Sequence, residues 1–509
     1  LNELDSTQIA GLKATQISAI SNQVIGDLST DVMHNLNVNQ VQALTTLQIV
    51  GLIDQQLGAM GLDQIQGLKT SQIKAIETRD LAGLTTGQMV ALTSTQVGAF
   101  STNQLAALSS DQMAAIETQD MLALSGKQMA TLSATQVAGL STTQVANLRP
   151  HQIAAMTTDA VAAMTDAQLQ AMTSQQIGAL KTTQIQAMTS GQIAALGTAQ
   201  LVGLSSQQIG AFETRDLQGL STSQVAALGV RQVSGFTSAQ ISNLSTTQVA
   251  AFETQDLAAL SATQFTALRS SQIQALSTAQ ISSLKNTQIQ HLSDANVSAM
   301  STSQVAAMSV EQLNAMRATQ IGVMTTAQIN ALTGSQLSGM RDSQVAAINS
   351  QRMGSIDTSV LQNMTAGQIQ SMTTSQIISL IDTQLAALGT AQIASMKATQ
   401  IKAIETRDLH GLTTSQMEAL TSTQVAAFSS NQLAALSTAQ LAAIETQDLV
   451  ALSAKQISTL SAAQVAGLGT EQITNLRPYQ IAAFTTDAVA ALTSAQLQAM
   501  TSQQIGALK

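Results

Sequence analysis

The chain has 509 residues and a net charge of −9, with no Cys and no Trp; 10% of its residues are charged and 2% are aromatic. Absence of Cys excludes disulfides, thiolate metal sites and Cys nucleophiles, and Lys and Arg scattered singly with no basic stripe argue against nucleic acid and against docking on anionic lipid. Disorder, the first expectation for polar repetitive sequence, fails because 44% of residues are hydrophobic and fall at fixed positions.

From Leu4 onward the sequence runs in octads without insertion or deletion, 63 of them before Leu508. Position 1 is always Leu, Met, Ile or Phe and position 6 always Ile, Val, Leu, Met or Phe. Positions 2 and 3 are mostly Ser or Thr. Position 5 is usually Gln, with exceptions such as Val24 and Arg352, and position 8 is nearly always small, with Asp27, His291 and Val323 as exceptions. Loops tolerate insertions, so an unbroken frame implies that both ends of every unit pack. The whole chain, 1–509, therefore reads as one continuous repeat array.

Residues 68–181 and 396–509 are near-copies 328 residues apart. Acidic segments "ETRDL" or "ETQDL", with "ETQDM" at Glu117, start at Glu77, Glu117, Glu213, Glu253, Glu405 and Glu445. In the "ETRDL" octads two carboxylates lie three residues apart: Glu77 with Asp80, Glu213 with Asp216, and Glu405 with Asp408. They are the candidate calcium ligands of the chain. The competing reading makes each a variant helix start, with Glu before the first turn and Asp in place of Gln. Asp159 and Asp487, in "TTDAV", are assigned to a helix start as well.

The octad Leu180–Ala187 shows the expected local structure. Ile185 and Met188 are i and i+3, neighbours on a helix face, and they break the period of two that a strand needs. One unit later Thr189 and Gln192 form T-x-x-Q, a capping box. Pro150 and Pro478 both occupy position 3, the first helical residue if position 2 is the cap, where Pro is best tolerated. A continuous helix would drift by about 80° per octad and close no seam. A cap and bend in every unit resets the phase. The predicted fold is all-α: a solenoid of helices about six residues long, such as Thr182–Ala187, one per octad, with positions 1 and 6 inside and small position 8 residues where backbones approach. Such helices are unstable alone and must stack. A β-solenoid with Thr and Gln ladders is the alternative.

Chemistry-bearing motifs are sparse. His34, His151, His291 and His410 lie far apart, and the internal copies replace His151 by Tyr479 and align His410 with Ala82, so they read as surface residues. No Ser-His-Asp set, nucleophile elbow or Gly-rich phosphate loop occurs. The Met residues fall largely at positions 1 and 6 as core filler. No enzyme activity and no cofactor are expected. No apolar run reaches the length of about 18 residues that spans a bilayer, and no membrane insertion is expected. The chain starts at Leu1 and stops shortly after an octad begins, which reads as a window cut from a longer protein.

The octads "MTSQQIGA", "LKTTQIQA" and "LSTAQISS" resemble the tandem [ST]-x-x-Q-[IV]-x-A-L arrays of very large bacterial surface or secreted proteins, often labelled adhesin-like or haem-utilisation-like. The resemblance covers the whole chain and implies an extracellular or cell-surface bacterial setting, with attachment to a surface or matrix. The leading functional expectation is a filament, sheath or surface layer with the chain itself as partner. A stalk presenting a separate adhesive tip is the alternative, and an ice-binding Thr array ranks below it.

Overall fold

The computed structural model describes residues 1–508. It contains 58 α-helices and five 3-10 segments, one element to every octad, and no strand among the described residues. The helical solenoid expected from the octad is the fold observed, and the β alternative is excluded. The chain forms two compact units, Leu1–Ala267 and Leu268–Lys509.

Thr182–Ala187 illustrates how each octad folds. The helix begins after Lys181, and the next begins after Thr189, whose hydroxyl accepts from the Gln192 amide at 3.2 Å while the Gln192 side-chain oxygen accepts from Thr189 N–H at 2.8 Å. The helix ends at Met188, which closes the last turn by donating its N–H to the Ile185 carbonyl at 3.2 Å. Met188 and Thr189 are then both extended, with φ −68°, ψ 149° and φ −82°, ψ 159°. Two extended residues per octad supply the bend. No residue among those described has positive φ, so the turn needs no left-handed glycine. Pro150 and Pro478 are the first residues of their helices, as their position predicts.

In each unit the helices face inward through positions 1 and 6. Leu180, Ile185 and Met188 are 3%, 0% and 1% exposed, and burial of such side chains contributes about 1.5–3 kcal/mol each. Within a unit, a helix packs on the helix three octads along: Ser110–Ala115 on Ala134–Gly139, and Ala366–Ser371 on Thr390–Ser395. Position 8 is the point of close approach. At Gly83 an added Cβ would lie 1.9 Å from the Asp54 carbonyl oxygen, and at Gly411 2.2 Å from that of Asp382.

Candidate functional site

The most regular chemical feature of both units is a ladder of glutamine amides between turns. Gln184, at position 5, is 1% exposed. Its oxygen accepts from Lys181 N–H at 2.7 Å, completing the helix start. Its Nε2 donates to the Met156 carbonyl at 2.8 Å and to the Ile153 carbonyl at 3.2 Å, 28 and 31 residues back. Gln304 repeats this in the second unit, donating to Leu276 at 2.7 Å and Ile273 at 2.9 Å. The Met156 carbonyl follows a helix end and has no further residue of its own helix to accept from. The buried amide supplies that missing donor.

Contacts between successive turns span offsets from 25 residues, as His34 to the Ala59 carbonyl, to 31, as Gln184 to Ile153. Their centre, about 28 residues, sets one superhelical turn at about three and a half octads. The sequence gives Gln its role in the helix start, but its second role is found only in the structure. One signal was present: position 5 is Gln in most octads while the exposed positions 3, 4 and 7 vary freely.

All five 3-10 segments fall in octads whose position 5 is not Gln: Val24, Asp80, Asp216, Arg352 and Asp408. Other octads without Gln, those of Val32, Asp120, Asp256 and Val360 among them, keep an α-helix, so loss of the amide permits the tighter turn without enforcing it. Two other side chains take over the donor role. Asn296 Nδ2 donates to the Leu268 carbonyl at 3.0 Å, and the Arg352 guanidinium donates to the carbonyls of Gly322, at 3.3 Å, and Met324.

In the "ETRDL" octads Arg bridges the two carboxylates. Arg79 lies 2.5 Å from Glu77 and 3.5 Å from Asp80; Arg215 lies 2.6 Å from Glu213 and 3.7 Å from Asp216; Arg407 pairs with Glu405 and lies 3.5 Å from Asp408. The Glu residues lean out to Arg while the Asp residues are buried in the amide slot. No third acidic or histidine side chain joins them as a metal-holding group among the described residues. Burial pushes the Asp80 carboxyl above its ordinary range against the pull of Arg79, with Glu77 and Asp54 adding to the rise. At Asp216 the variant helix start is visible, since Glu213 N–H donates to Asp216 Oδ2 at 3.2 Å. In the "TTDAV" octad the Thr157 hydroxyl caps Ala160 at 3.1 Å, and Asp159 lies in the first turn.

The histidines occupy separate surface sites. His34 meets the Ala59 carbonyl at 3.1 Å, His291 the Thr287 carbonyl at 2.6 Å, and His410 the Asp382 carboxylate at 2.9 Å. His151 is exposed. No helix among the described residues is long and apolar enough to cross a membrane.

No curated protein matches the chain in sequence. Solved structures titled "Structure of APUM23-GGAAUUGACGG" and "Structure of APUM23-GGAUUUGACGG" align over 99% of this chain and 92% and 97% of theirs. Their identities are 12% and 11%, and the TM-score is 0.15 in both cases, so no shared architecture follows. The ALTTAQ repeat matches residues 73–110, 113–150, 150–182, 177–214, 209–246, 249–286, 401–438, 441–478 and 479–509. Successive matches beginning at 73 and 113, at 209 and 249, and at 401 and 441 are offset by five octads. The hexad itself stands as "ALSTAQ" at Ala275–Gln280 and again at Ala435–Gln440, placing Gln in the buried amide slot. These matches cover more than half of the sequence, and the chain belongs to the ALTTAQ repeat family.

Proposed function

We propose that this protein is a structural, non-enzymatic repeat protein that builds an extracellular bacterial filament, sheath or surface layer, with further copies of itself as its partner. The polarity of the amide ladder carries this reading. Leu180 offers its carbonyl forward to Gln208 at 2.7 Å, while Gln184 of the same octad donates backward to Met156 at 2.8 Å. Each turn thus presents acceptors on one side and donors on the other. A further turn of the same sequence, from the same chain or another copy, can join with no new chemistry. Head-to-tail association of this kind propagates into fibres when it does not close. The Ser, Thr and Gln outer surface, poor in charge, suits lateral hydrogen bonding.

Negative-stain microscopy of native material, with sedimentation of the purified chain, tests the proposal. Fibres or sheets of uniform width support it. Short monodisperse particles across the accessible concentration range would sink it.

A further inference from the structure

Every donor described above in the position 5 slot (Gln, Asn296, Arg352) carries an N–H that meets a carbonyl on the preceding turn. Asp256 occupies the same slot at 1% exposure, and an ionised carboxylate has no proton to offer. The carbonyl in register with it belongs to Leu228, 28 residues back, as Leu220 and Phe236 face Gln248 and Gln264 at 2.8 and 2.7 Å. Asn296 has the same side-chain length as Asp and reaches its own carbonyl at 3.0 Å, so the span is short enough for an Asp hydroxyl.

Asp216 and Asp448 are compensated differently. The Ser190 hydroxyl donates to Asp216 at 2.7 Å, and the Ser422 hydroxyl donates to Asp448, each from 26 residues back. At Asp256 that place is held by Val230, and Asp256 Oδ1 is buried with no hydrogen-bond partner. The charged groups around it are few. Glu253 belongs to its own octad and is held by Gln255 at 2.9 Å; Arg231 lies on Val230–Val233, the helix packed against its own.

We propose that Asp256 is a proton-operated latch between turns. Neutral, it donates its O–H to the Leu228 carbonyl as an amide would. Ionised, it sets a buried negative charge against that carbonyl dipole, and the seam loosens locally. Burial first and Glu253 second raise the carboxyl above its ordinary value of 3.8. Folding therefore takes up a proton in the window above 3.8. The stabilisation is fully present below that value and is lost as pH rises through the raised one.

Hydrogen exchange on the full chain, corrected for intrinsic rates, tests this in peptides spanning 225–233 and 252–260. In the wild type, opening should be greater in mild base than in mild acid, on the order of tenfold for each tenfold by which folding weakens the acid. Asp256→Asn should abolish the difference, because the amide donates at every pH. Val230→Ser should shrink it by giving the ionised carboxylate a hydroxyl donor. A wild type with no pH-dependent opening, or a difference that persists in Asp256→Asn and Val230→Ser alike, would overturn the proposal.

Discussion

Replacing Gln184 by Met tests whether the amide ladder, rather than apolar burial alone, holds successive turns. The substitution roughly conserves volume and keeps the site apolar, so cavity effects stay small. It removes the bonds to Met156 and Ile153 and leaves Lys181 N–H without its acceptor. Neutral hydrogen bonds contribute about 1 kcal/mol each, and a buried carbonyl left unpaired, here that of Met156, costs about 1–3 kcal/mol. The expected local loss is therefore about 3 kcal/mol, a hundredfold rise in opening. In a solenoid this stays near the site, because each unit contacts only its neighbours. Amide exchange of Lys181 and of the turn Ile153–Met156 reads it directly. If exchange there rises less than about threefold while the fold is intact, the ladder contributes little and the reasoning fails.

Gly83→Ala should destabilise by about 2–3 kcal/mol, because its Cβ would fall 1.9 Å from a backbone oxygen that cannot swing away. Gly191→Ala, whose Cβ would meet nothing nearer than Thr189 Oγ1 at 3.8 Å, should stabilise by about 0.5–1 kcal/mol; denaturant unfolding of the two variants distinguishes them. Ile53 stands at a cap position, where its N–H is bonded to Gln56 at 3.0 Å but its side chain accepts nothing. Ile53→Thr should add the missing cap and about 1 kcal/mol; unchanged exchange at the Gln56 amide would refute this. Arg352→Gln should convert the 3-10 segment Ser350–Ser355 to α-helix, seen as a shift of its backbone carbon resonances toward α-helical values.

The local structure was legible because its causes are local. Thr189 and Gln192 lie three residues apart, so the capping box and the span Thr182–Ala187 follow from the sequence. The turn was not legible. Its length depends on small bend angles at residues such as Met188 and Thr189, accumulated over three and a half units, and no period of eight contains a contact 28 residues away. For the same reason the acidic octads read as helix starts or cation ligands. Their main feature, a carboxylate in a slot built for a donor, depends on which carbonyl lies beneath. The choice between Val230 and Ser422 as neighbour becomes meaningful only once the turns are stacked.

The half-octad remainder in the turn has a mechanical consequence. A repeat of eight wound at about 28 residues brings position 5 of one course onto position 1 of the course below, as Gln184 meets Met156. Bricklayers call this running bond. Had the turn held a whole number of octads, the extended pairs would align into straight vertical joints along which the wall could split. Offset courses leave no such line: where Gln fills position 5, the bend below is bridged by a buried amide of the course above, as Met156 is by Gln184, and parting the two courses there means breaking that bridge.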